Sequence, residues 1–299
     1  MLAGGHGAEP MSDDSEPGEA APPRAGLGWL GSDFQVRLLS GLAMAFIAAA
    51  ALWAGQLAFN ALVFLLALIL SWEWGRLVHG RSAEIVVAVH IGATALAVGL
   101  AALGFVGLGL LALAIGAILA MLLSLGRHGL FAALGVLYAG LPAVTLIWLR
   151  SDATYGLRAA VFVIVLVIAA DTGAFLAGRG LGGPKLMPSV SPNKTWAGLF
   201  GGILAGAIVG LLMALAVPGA SALRLGATAA LLAFLAQMGD LMESAIKRRF
   251  GAKDTSALIP GHGGIMDRVD GLVIAATAAG LAGFILNVHS PARALLLGY

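Results

Sequence analysis

Four carboxylates stand inside or beside apolar runs, where an acid is costly unless it is paired, protonated or solvated. Asp171 follows the run VFVIVLVIAA, Asp240 and Glu243 lie in GDLMESAIKRRF, and Glu73 lies in SWEWGR. Asp240, Glu243, Ser244 and Lys247 fall at i, i+3, i+4 and i+7, so they share one helix face that ends in a basic cluster. Downstream, Asp267 and Asp270 are three apart and point the same way if a helix starts near Ile265. His262, Gly263 and Gly264 precede it, and glycines before a helix N-terminus form an anion-binding corner of free N–H groups. Two carboxylates beside such a corner suit a hard cation such as Mg²⁺, which takes oxygen ligands and shares its remaining positions with water and phosphate.

After Asp171 the chain offers Arg179, Lys185, Ser191, Lys194 and several glycines. Close N–H donors and cations are what a polyphosphate needs, although a basic loop on the cytoplasmic side of a membrane has the same look. Glu73, between Trp72 and Trp74, reads as an interfacial acid paired with Arg76 at i+3. Together these residues point to phosphoryl or nucleotidyl chemistry on a membrane-embedded substrate.

The elements that must position them are membrane helices. The chain of 299 residues is 60% hydrophobic and only 11% charged, against about 25% charged in soluble domains, and its mean hydropathy is +0.97. The fold class is all-α, a polytopic membrane protein. A spanning helix needs roughly 20 apolar residues, and nine segments qualify: about 38–55, 57–78, 83–101, 103–124, 129–149, 158–178, 196–217, 222–246 and 271–289. The absence of cysteine removes disulfides, thiolate metal sites and a cysteine nucleophile.

Residues 1–33 carry six acids and four prolines without an apolar run, so they read as a disordered tail rather than a signal peptide, with Met11 a second candidate start. Residues 34–150 form an N-terminal transmembrane region and 151–299 a C-terminal one with two distinctive loops, 179–195 and 247–266. Nine spans place thirteen of the seventeen Lys and Arg residues on the side of the N-terminus and four on the other. That bias puts the N-terminus and both loops in the cytoplasm and the C-terminus outside. Residues 244–270 alone hold eight of the chain's 32 charges, which marks the second loop as more than a connection.

This stretch resembles the signature of the phosphatidate cytidylyltransferases, the CDP-diacylglycerol synthases. The resemblance is carried by Ser244, Ile246, Lys247 and Arg248, then Lys253, Asp254 and Ser256, then Ile259-Pro260, His262-Gly263-Gly264-Ile265 and Asp267-Arg268-Val269-Asp270. DTGAFLAGR, SPNKTWAG and GDLMES extend it, so it covers about 171–271. One departure is Ala197, where the family usually has an acid after Lys-Thr-Trp.

The resemblance implies transfer of CMP from CTP to phosphatidic acid, with Mg²⁺ and room for a second cation. On it, Asp240, Asp267 and Asp270 hold the metal. Asp171, Lys194, Lys247, Arg248, Lys253, His262 and Arg268 act at the reacting phosphates. Arg179, Lys185, Ser191, Ser244, Asp254, Gly263 and Gly264 bind substrate. The implied partners are CTP, phosphatidic acid and the lipid bilayer; nucleic acid is not among them, and a homodimer is compatible. Two other readings stay open: a related CTP-dependent lipid enzyme with another acceptor, and an ion-coupled transporter using the intramembrane acids.

Overall fold

In the computed structural model the described residues are 32–80, 84–124, 128–256, 258–259 and 263–299. The tail expected over 1–33 lies almost wholly outside them, as does His262. Among the described residues there are ten helices and one two-stranded sheet: α1 Ser32–Ala54, α2 Gln56–His79, α3 Glu84–Ala102, α4 Val106–Leu123, α5 Gly129–Arg150, α6 Gly156–Leu181, β1 Lys185–Met187, β2 Ser191–Thr195, α7 Trp196–Ala216, α8 Ala222–Arg249, α9 Met266–Leu286 and α10 Pro291–Leu297. Each of the nine expected segments coincides with one of α1 to α9. Eight of these, α2 to α9, are long and apolar enough to cross a membrane, while the apolar part of α1, Leu39–Ala54, is shorter. The chain is a multi-pass membrane protein.

Apolar side chains cover the outside of this bundle, as lipid demands. Leu108, Leu111, Ile115 and Leu122 of α4 and Leu204, Leu211, Leu212 and Leu215 of α7 are all exposed. The core is built from α5, whose buried residues run from Ala132 to Leu149, and from α6, whose Phe162, Val163 and Leu166 are fully buried.

Small residues set the close approaches. Gly198, Gly202, Gly206 and Gly210 form a buried stripe at i, i+4 along α7. A Cβ at Gly201 would collide with Ala177 of α6, and one at Gly202 with Gln237 of α8. Without attraction between apolar side chains as a driving force in lipid, such backbone proximity is what holds helices together. It packs the first half of α7 tightly against α6 and, from Gly202 to Gly210, against α8.

Two elements were not expected. The loop after α6 turns through Gly182 and Gly183, both left-handed at φ +64 and +92, into an antiparallel hairpin that pairs Lys185 with Thr195 and Met187 with Ser191. The short α10 starts on Pro291 and ends on Gly298, and Arg224 Nη2 donates to Leu296 O at 2.7 Å to tie it to the start of α8.

Candidate active site

The C-terminal ends of α2, α6 and α8 and the N-terminal ends of α7 and α9 meet at one end of the bundle. The connectivity requires it: successive spans alternate direction, so the two distinctive loops share a face with the end of α2.

On one side is an open cleft of about 520 Å³. From α6 it receives Asp171, Phe175 and Arg179, which recur at i, i+4 and i+8 on one face; from the hairpin, Leu186, Asn193 and Lys194; from α8, Gln237 and Asp240. Lys194 is aimed by its strand. Thr195, the last residue of β2, caps α7 by accepting from Gly198 N at 3.1 Å, so the strand leads directly into the helix. Lys194 Nζ then reaches across α7 to Asp240 Oδ2 at 2.5 Å and to the Gln237 carbonyl at 3.4 Å. Gln237 Nε2 in turn donates to Leu199 O at 3.2 Å, stitching α8 to α7.

On the other side is a buried cluster between α8 and α9. Lys247 Nζ lies 2.8 Å from Glu243 Oε2 and 2.6 Å from Asp267 Oδ1. Asp267 Oδ2 accepts from Thr255 N at 3.0 Å, Thr255 Oγ1 at 2.9 Å and Gly264 N at 2.8 Å. The helices touch closely here: a Cβ on Gly239 would lie 2.9 Å from Asp270 O and 2.8 Å from Ile274.

Between the two sides, Asp240, Glu243 and Asp270 present oxygens that all lie within 4.8 Å of one another. Glu243 is fully buried, and among the described residues no donor bonds its Oε1. Three carboxylates converging at the membrane with a lone pair unsatisfied are unfavourable unless a cation joins them. An all-oxygen donor set is the one a hard divalent cation takes. The residues present therefore fit Mg²⁺.

Of the three metal ligands expected from the sequence, the structure brings Asp240 and Asp270 together with Glu243. Asp267 faces Lys247, Thr255 and Gly264 instead, so its acceptor positions are already filled. Ser244 Oγ sits 3.5 Å from Asp240 Oδ1, behind that ligand. Arg248 is exposed and donates to Ala252 O at 3.3 Å. Lys185, Lys253, Asp254 and Arg268 are exposed, and Ser191 is half-buried at the start of β2. Ala197, in the first turn of α7, is half-buried and does not line the cleft.

Glu73 departs from its expected role as a partner of Arg76. It is fully buried and accepts from Ser256 Oγ at 2.6 Å, Ile265 N at 3.0 Å and Met266 N at 2.7 Å. The N–H groups at the start of α9, expected to meet an anionic ligand, thus meet two of the protein's own carboxylates, Glu73 and Asp267.

A polytopic helix bundle with lysines paired to carboxylates around a cleft at one end defines a multi-pass membrane protein with a charged site where its helices end. The chain belongs to the cytidylyltransferase family, whose model matches residues 35–286. Among its relatives is the phosphatidate cytidylyltransferase of Brucella suis biovar 1 (strain 1330), 48% identical over 153 residues, which cover 51% of this chain and 57% of that protein. The phosphatidate cytidylyltransferase of Staphylococcus epidermidis (strain ATCC 12228 / FDA PCI 1200) is 42% identical over 141 residues, 47% of this chain and 53% of that protein. The chain thus spans little more than half the length of the curated relatives it matches.

Proposed function

We propose that this chain transfers CMP from CTP to phosphatidic acid, giving CDP-diacylglycerol and pyrophosphate, at the cytoplasmic face of the membrane. The observation that carries the reading is the cleft in which Lys194 and Arg179 face Asp171 and Asp240 at the end of membrane-spanning helices. Family membership and the names of the relatives support the same activity. One substrate is aqueous and the other cannot leave the bilayer, so the reaction needs a site at their boundary. The basic bias of this side supports a cytoplasmic N-terminus.

A phosphatidate oxygen attacks the α-phosphorus of CTP, and the bond to pyrophosphate breaks in line. The nucleophile is anionic at neutral pH, so no strong general base is required; positioning and charge neutralisation do most of the work. Asp240, Glu243 and Asp270 would hold Mg²⁺, which supplies positive charge to the phosphates. Lys194 exchanges Asp240 for a phosphate oxygen as substrate enters, and Arg179 adds a second cation at the cleft. Phe175, Leu186 and Leu199 give the cleft an apolar wall, suited to the glycerol end of a lipid whose acyl chains remain among the helices. Lys247 holds α8 against α9 and so fixes the spacing of Glu243 from Asp270.

The test is direct: purified protein incubated with CTP, Mg²⁺ and phosphatidic acid forms a CDP-lipid and pyrophosphate in equal amounts, and EDTA stops both. Release of CDP with a phosphorylated lipid would instead identify a kinase. Ion uptake into proteoliposomes without CTP turnover would identify a transporter.

A further inference from the structure

The geometry points to Glu73, on α2 and outside the sequence signature, as the positioning residue that seats the signature segment between α8 and α9 against the rest of the bundle. The inference rests on the activity proposed above, but its central observation is independent of it. Glu73 bonds both ends of that segment. Ser256, on the way in, donates to Oε1 at 2.6 Å. On the way out, Ile265 N donates to Oε1 at 3.0 Å and Met266 N to Oε2 at 2.7 Å. Thr255 Oγ1 lies 3.4 Å from Oε2 and 2.9 Å from Asp267 Oδ2; its one hydrogen goes to the nearer acceptor.

A carboxylate suits this place. The first N–H groups of α9 have no partner within their own helix, and the helix dipole favours negative charge there. A fully buried acid with several donors is satisfied without a cation. Gly264 completes the fit, because a Cβ there would collide with Thr255 Oγ1 and Glu73 Oε1. Trp74 locks the position from α2: its Nε1 donates to Phe131 O at 2.8 Å, fixing α2 against α5.

The consequence reaches the reacting groups through α9. Glu73 sets where α9 begins; Asp267, which holds Lys247, follows at once in the first turn, and Asp270, which joins Asp240 and Glu243, stands one turn further on. Loosening the start of α9 moves the carboxylate cluster without removing any member of it. A shift of about 1 Å at such a site can cost on the order of 10²-fold in rate.

The experiment compares full-length wild type with Glu73→Gln and Ser256→Ala, reading steady-state kinetics and amide hydrogen exchange. Glu73→Gln keeps the shape but replaces one acceptor with a donor that opposes the helix N–H groups. The expected result is about tenfold faster exchange at Ile265 and Met266 with α5 unchanged. It is joined by a fall of about 10²-fold in kcat with the KM for CTP within about threefold. Ser256→Ala, which removes one donor, moves both readouts the same way but less. Unchanged exchange at Ile265 and Met266 overturns the anchor, and so does a raised KM at normal kcat, which would place Glu73 on the substrate. Should Glu73→Gln fail to fold, Ser256→Ala decides by the same two readouts. A wild type that forms no CDP-lipid would sink the proposed activity, while exchange would still decide the anchor.

Discussion

Lys194 and Lys247 each meet carboxylates at the same end of the bundle, in different surroundings. The Lys194–Asp240 pair lines an open cleft, with side chains 21% and 32% exposed. Lys247 lies between Glu243 and Asp267, where the three side chains are 12%, 1% and 5% exposed. An exposed pair contributes about 1 kcal/mol or less, so its members can part cheaply and take other partners. Removing one member of a buried cluster leaves an uncompensated charge and costs about 3–5 kcal/mol. On the proposed function the contrast assigns different work to the two lysines: the cleft pair would open for substrate, and the buried cluster would keep α8 and α9 in register.

The largest effect should come from Asp240→Asn, because Asp240 belongs to both the cleft and the carboxylate cluster. On the proposed function, loss of one carboxylate from the set that would hold Mg²⁺ is expected to lower kcat/KM on the order of 10³-fold. The thermal midpoint, followed by circular dichroism, should move little, since the pair it breaks is partly exposed. A variant that unfolds easily yet turns over normally would reverse the roles given to the two pairs.

Lys247→Met probes the other side and should behave in the opposite way. It leaves Glu243 and Asp267 buried without their shared cation. The expected loss is about 3–5 kcal/mol, with activity falling alongside. Adding Glu243→Gln and Asp267→Asn removes the stranded charges and should recover most of the stability but none of the turnover, since Glu243 is also a cluster member. Recovery of both would make the buried charges dispensable for the reaction, and the division of labour would fail.

How far the sequence reveals these two sides differs as well. Spans were readable because the length of an apolar run is a local property, and α2 to α9 lie close to the segments it predicts. The α8 face was readable because i, i+3, i+4, i+7 spacing fixes direction within one helix. The partners of that face were not. Equal spacing put Asp267 and Asp270 on one side of α9, but only the approach of α8 separates them, giving Asp270 to the cluster and Asp267 to Lys247. A signal existed: an acid in the first turn behind two glycines can be captured by its own helix start as readily as by a metal. Glu73 was harder still. Arg76 offered a sufficient local partner, whereas Ile265 and Met266 lie 192 and 193 residues away. The hairpin is not legible in the sequence because strands of three and five residues carry no clear period.

The smallest effect tests how the cleft side is aimed. Thr195 is buried at 5% exposure and ends the strand that carries Lys194, so its cap on α7 connects backbone geometry to the placement of that cation. Thr195→Ala removes the bond to Gly198 N and should cost about 1 kcal/mol. Thr195→Ser keeps the oxygen and should cost less. If the cap does more than hold α7, Thr195→Ala will also raise the KM for CTP about threefold, and Thr195→Ser will restore it, because a loosened strand end lets Lys194 wander from the cleft. A stability loss with an unchanged KM would mean that Lys194 is held by Asp240 and Gln237 alone. The cleft would then be organised from α8, as the buried cluster is, and the two sides would be less independent than their exposures imply.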